Sequence, residues 1–190
     1  MLFGMAVSTR LMALDEFLRL PEAKPYLELI DGEVCQKPVA KLEHSRPQRR
    51  LLRFLEQDPA TRAGEAMPEL GLPFPGARPG NHRVPDISYY RAGRRLPASG
   101  YPEEPPDLAV EIRSEGQTLE SQAERLRFLR ERGVAATLLV DPGLGRVYVH
   151  DGDCEAIAAA GEEVILQTLD GFSFRVDDLF GPESSVPGTL

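Results

Sequence analysis

Only two cysteines occur in the 190 residues, Cys35 and Cys154. They are too few for a disulfide framework or a zinc ribbon, and no C-x-x-C spacing joins them, so a reducing cytoplasm is the expected setting. Lysine is scarce as well: Lys24, Lys37 and Lys41 stand against nineteen arginines. No leader is expected either. The opening "MLFGMAVSTRLMAL" carries no basic residue before its apolar ones, and Arg10 breaks the run short of a membrane span, so neither a signal peptide nor a transmembrane helix is expected. Finally, the chain lacks basic excess. Its net charge of −8 argues against a protein that coats nucleic acid without specificity, because such binding draws on a basic surface. A local basic patch stays compatible with it, and an acidic balance suits a site that gathers carboxylates around a cation.

What is present reads as one α/β domain with a sizeable core. "TRLMALDEFLRLPE" has a helical apolar period closed by Pro21. In "YLELIDGEVCQK", Asp31-Gly32 between apolar pairs signals a hairpin. "HSRPQRRLLRFLEQ" predicts a helix over 46–57, with Ser45 as N-cap and Pro47 in the first turn. Its Leu51, Leu52 and Leu55 share one face, and Arg46, Arg49, Arg50 and Arg53 share the opposite one. "MPELGLPFPG" reads as a broken strand, and residues 76–82 and 91–106 as loops. Strands are expected at 84–90 and 107–113 as neighbours in one mixed sheet, then a helix over 118–132 ended by Gly133. "VAATLLVDP" suits a strand buried on both faces. "RVYVHDGD", "EEVILQTL" and "GFSFRV" add strands towards the C-terminus.

One stretch asks for chemistry. In "NHRVPDISYY", Asp86 stands at the mouth of an apolar strand. Glu111, twenty-five residues on, sits inside another, between Val110 and Ile112. A glutamate in an apolar strand costs several kcal/mol, by rough estimate, unless paired or bound to a cation. Two such carboxylates on adjacent strands can share one Mg²⁺, which takes hard oxygen ligands and keeps several waters. The Ile112 carbonyl is a further candidate donor. Ion pairing with an arginine explains the same carboxylates without any metal.

Pro85-Asp86 followed by Glu111-Ile112-Arg113 resembles the PD…E-x-K arrangement of restriction-endonuclease-like nucleases, with arginine in the lysine place. The ordered blocks "YLELIDGEV", His44, "RVPDISYY", "PPDLAVEIRSEG", "RERGV" and "LLVDP" resemble the Uma family of restriction-endonuclease-like proteins over roughly residues 10–180. The resemblance implies a three-layer fold with a central mixed β-sheet flanked by helices, as a single domain over 1–190. Its core is placed at about 10–150, with extra C-terminal strands over 151–180. It implies a Mg²⁺ or Mn²⁺ cofactor and phosphodiester hydrolysis in DNA, by a homodimer. By position, Asp86 and Glu111 become metal ligands and Glu28 an additional acidic residue near the metal. The family also shows a lysine fourteen residues after the glutamate, where this chain has Arg125. The lysine's work then falls to Arg113, Arg125 or both. Arginine cannot act as a general base at neutral pH, although it can orient a phosphate and stabilise charge. His44, Arg46, Arg49, Arg50 and Arg53 are the candidates for nucleic-acid contact. A catalytically silent module that keeps the fold, and an enzyme acting on RNA, are the competing expectations.

Overall fold

A computed structural model describes residues 10–181; the opening stretch 1–9, read above for a leader, lies outside them. In chain order the first elements are α1 (Leu14–Phe17), β1 (Leu27–Ile30), β2 (Glu33–Gln36), α2 (Leu42–Gln57), β3 (Glu65–Pro68), β4 (Leu72–Pro73), β5 (His82–Arg83) and β6 (Ile87–Tyr90). They are followed by β7 (Leu108–Ile112), α3 (Leu119–Arg130), β8 (Ala136–Asp141), β9 (Arg146–Asp151), β10 (Cys154–Ala158), β11 (Glu163–Leu166), β12 (Phe172–Arg175) and α4 (Val176–Phe180). No helix among the described residues is long and apolar enough to cross a membrane.

The chain forms two compact units. Among the described residues, the first combines those up to 39 with 71–84, and the second combines 40–70 with those from 85 onwards. In the first, a small antiparallel sheet runs in the order β2-β1-β5-β4. Its hairpin turns at Asp31 (φ 49°) and Gly32 (φ 83°), the paired left-handed residues that match strand twist. Sequence alone placed this turn correctly. The preceding helix, Leu14–Phe17, is shorter than its apolar period suggested, and the Met12 N–H ahead of it donates to the Gly32 carbonyl at 2.8 Å.

The second unit carries a six-stranded sheet in the order β10-β9-β8-β7-β6-β3. β6 and β7 are antiparallel neighbours, with Ile87 facing Val110, as expected for the strands at 84–90 and 107–113. β7 and β8 are parallel, so the chain between them must cross over, and α3 is that crossover. Thr118 caps α3 by accepting from the Ser121 N–H, and Gly133 follows the helix at φ 96°, where the missing Cβ makes the left-handed turn inexpensive. All residues of β7 and β8 are buried. Alternation along β7 sends Leu108, Val110 and Ile112 into one apolar cluster with Leu51 and Leu55 of α2. Each such side chain contributes about 1.5–3 kcal/mol of burial. Ala109, Glu111 and Arg113 point to the other face. β10 completes the sheet edge, and β11 pairs with β12 in a separate two-stranded sheet. The C-terminal strands are thus not all appended, since β10 belongs to the main sheet.

Helix α2 begins earlier than its sequence suggests. Its N-cap is Lys41 rather than Ser45, and the Lys41 carbonyl accepts from the N–H groups of His44 and Ser45. Pro47 therefore falls in the second turn, where it has no N–H to give the Glu43 carbonyl. The reason lies in His44, which is buried with Pro47, Leu51 and Leu55. Spacings of three, seven and eleven residues put all four on one helical face.

Candidate active site

Asp86 comes just before β6, one rung beyond the pairing of Ile87 with Val110. It therefore stands opposite Glu111 at the end of the β6–β7 ladder. Its backbone carbonyl accepts from Gln48 Nε2 at 2.9 Å and from the Glu69 N–H at 3.2 Å, so both α2 and the end of β3 hold this corner. The carboxylate is 1% exposed. Asp86 Oδ2 accepts the Ile112 N–H at 2.7 Å and lies 3.0 Å from His44 Nε2. A carboxylate accepts only, so this geometry requires the imidazole proton on Nε2. Asp86 thus rests on the peptide unit that joins Glu111 to Ile112.

Glu111 is 3% exposed and its Oε1 accepts from Arg125 Nη2 at 3.0 Å and Nε at 3.2 Å. Arg125 reaches back from α3 to the sheet, as its position on the flank of the helix allows. Arg113 does otherwise. Its Nε and Nη2 bond the two oxygens of Asp141 at 2.9 and 2.8 Å, and its Nη1 donates to the Gln117 carbonyl. Hydrogen bonding to Asp141 raises the already high pKa of this guanidinium. Of the two arginines expected at the carboxylates, only Arg125 pairs with Glu111; Arg113 is turned to the end of β8.

Glu28 belongs to the first unit. It is buried, and its Oε1 accepts the Val84 N–H at 2.8 Å, while Lys37 Nζ donates to the Val84 carbonyl at 2.7 Å. Both polar groups of the residue that precedes Pro85-Asp86 in sequence are thereby held. Nearby in this unit, burial pushes the His82 imidazole down to about 4, against the opposing pull of Glu28.

The expected arginine stripe divides. Arg46, Arg49 and Arg53 are exposed on α2. Arg50 is half-buried and donates to the Leu179 carbonyl at 2.8 Å, which makes it a fastener between α2 and α4. His44, grouped with that stripe from sequence, sits on the opposite, buried face against Asp86. Two partners escaped the sequence reading. Asp141 is fully buried, and its signal was a carboxylate closing the apolar run "LLVD". Gln48 was legible as one helical turn beyond His44.

Among the described residues, no three or more His, Cys, Asp or Glu side chains form a group that could hold a metal ion by themselves. Asp86 and Glu111, opposite each other in the ladder, still offer the oxygen donors that a hard divalent cation takes. Mg²⁺ commonly takes one or two carboxylates and keeps the rest of its shell as water.

The mixed α/β fold and this corner define a protein of nuclease-like architecture. The structure is similar to a crystal structure described as a "putative nuclease belonging to DUF820" from Anabaena variabilis, with a TM-score of 0.75 and 26% identity, over 89% of this chain and 97% of that one. A family model described as "Uma2: Putative restriction endonuclease" matches residues 14–177, and the chain belongs to that family. No curated protein matches the chain.

Proposed function

We propose that the protein is a metal-dependent endonuclease that hydrolyses phosphodiester bonds in DNA, with Asp86 and Glu111 as the metal-holding carboxylates. The observation that carries this reading is the seating of the Asp86 carboxylate on the Glu111–Ile112 peptide, with Arg125 on Glu111. Two buried carboxylates stand on opposed positions at one strand end, and the Arg125 guanidinium pairs with that of Glu111. Mg²⁺ or Mn²⁺, when bound, supplies a Lewis acid for the phosphoryl oxygen and an acidified water.

The chain's own residues do the remaining work. His44 and the Ile112 N–H fix Asp86 in one rotamer, so its orientation is set before any ligand arrives. Arg125 neutralises Glu111 while metal is absent and is placed to stabilise negative charge on a phosphate when Glu111 is otherwise engaged. It moves no proton, because a guanidinium stays protonated. Arg46, Arg49 and Arg53 offer phosphate contacts that set register rather than sequence. The two strands of a duplex are related by a two-fold axis, which favours a homodimer.

The test is cleavage of supercoiled, linear and single-stranded DNA, and of RNA, with Mg²⁺ and Mn²⁺. Cutting should need metal and vanish in Asp86→Asn and Glu111→Gln. A second reading, a silent module that binds nucleic acid or protein, is favoured by arginine at both lysine places. Arg125→Lys separates the two. Cleavage gained on this change means a competent site damped by arginine. No cleavage from either form, and no metal bound in calorimetry, leaves the silent module.

A further inference from the structure

Away from the carboxylates, helix α3 borders a groove of about 820 Å³ on the sheet. Leu119, Ala123 and Leu126 form its helical wall, and Leu139, Tyr148 and Ile157 belong to its sheet side. The groove follows from topology. α3 covers β7 and β8, but β9 and the edge strand β10 extend beyond it. Ile157 on β10 is 58% exposed, a large apolar side chain at an open sheet edge.

The helix flank beside this groove has a charge order. Glu120, Ala123 and Arg127 are spaced by three and four residues, so they form one stripe. Glu120 and Arg130 both line the groove, placing acid at the N-terminal end and base at the C-terminal end. Such a stripe is complementary to itself when turned end for end. Two antiparallel copies put Glu120 against Arg127 of the second copy, twice, with Ala123 near the axis. A methyl group there lets helix axes approach to about 8 Å. Arg127 is exposed, and its contact with Glu124 at 3.5 Å is a surface pair of small value, so it is available to a partner. The other flank of the same helix carries Arg125 towards Glu111, so this face can be covered without touching the candidate site.

We infer that the α3 groove is the seat of a second copy of this chain, packed helix against helix in antiparallel fashion around Ala123. The inference deepens the homodimer proposed above, but its readout is mass rather than cleavage, so it stands or falls apart from the nuclease reading.

Light scattering across protein concentration tests it. The wild-type chain should reach dimer mass at micromolar concentration. Glu120→Arg and Arg127→Glu should each raise the dissociation constant at least tenfold, and the double exchange should restore it, because the swapped charges again face each other. Unchanged thermal melting of each single variant shows that the fold persists. A second measurement is Ala123→Cys with Cys35→Ser and Cys154→Ser. Mild oxidation should link it into dimers, since a two-fold axis beside residue 123 brings the thiols within disulfide reach. A wild-type monomer at all concentrations, a dimer indifferent to the single reversals, or a double variant without recovery overturns the inference.

Discussion

Two arginines meet two buried carboxylates in the second unit, and they meet them differently. Arg113 engages Asp141 with a full fork, each oxygen taking one nitrogen, and Asp141 Oδ1 also caps the Leu144 N–H. Arg125 donates from Nε and Nη2 to Glu111 Oε1. The first pair binds β7 to β8 and to the turn after it, and its geometry is the strong bidentate kind. The second spans a helix and a strand at the place where Asp86 also arrives. One arrangement ties two strands together; the other lies at the corner where, on the function proposed above, a metal cation would compete for the carboxylate. Spacing alone could not separate them, because Arg113 and Arg125 are both within reach of the E-x-R strand end.

Removing an acid tests the closed pair hardest. Asp141→Ala should cost about 3–5 kcal/mol, as breaking a buried pair does, and adding Mg²⁺ should recover none of it in a melting experiment. A third buried group capable of positive charge shows the opposite balance. Burial outweighs Glu28 at His82, which is pushed down to about 4. Its unfolded form takes up a proton near pH 6.5, so stability should be full above that value and fall as pH drops towards 4. The loss approaches about 3 kcal/mol, and His82→Gln should flatten that limb of the denaturation profile.

Arg125→Ala is the sharper contrast. It takes the guanidinium away from Glu111, so the metal-free protein should lose about 2–3 kcal/mol. Mg²⁺ should restore much of this, since a ligand at a hundred times its dissociation constant adds about 2.7 kcal/mol. Equal insensitivity of Arg125→Ala and Asp141→Ala to metal would erase the distinction between the pairs. The exposed arginines give the smallest effect on the fold. Arg46→Ala, Arg49→Ala and Arg53→Ala should each shift stability by less than about 0.5 kcal/mol; on the proposed function, each should also flatten the salt dependence of DNA binding by about one phosphate. Arg50→Ala should cost about 1 kcal/mol through its lost bond to Leu179.

Much of the second unit was legible because its signals were local. The period-two pattern of "PDLAVEIRS" and the amphipathic run after it reported β7 and α3 directly. The start of α2 was not legible, because its first turn is set by a tertiary contact, His44 with Asp86, that overrides the local attraction of Ser45 as a cap. Nor was the split of the arginine stripe, since Arg50 differs from its neighbours only through α4, about 130 residues away. At the candidate site, the pairing of Asp86 with Glu111 followed from strand order. Which arginine turned towards them depended on Asp141, whose partner no helical or strand period reveals.

The first unit is discontinuous, and this bears on how the chain is made. The β1–β2 hairpin can close as soon as residue 36 leaves the ribosome, but β4 and β5, which complete its sheet, emerge only after α2 and β3. The hairpin must therefore wait, half-finished, while 31 residues destined for the other unit pass. Closing that detour is entropically mild, since each doubling of a flexible connection adds only about 0.6 kcal/mol. Lengthening the 40–70 segment should thus delay the first unit's maturation during synthesis far more than it weakens the finished protein.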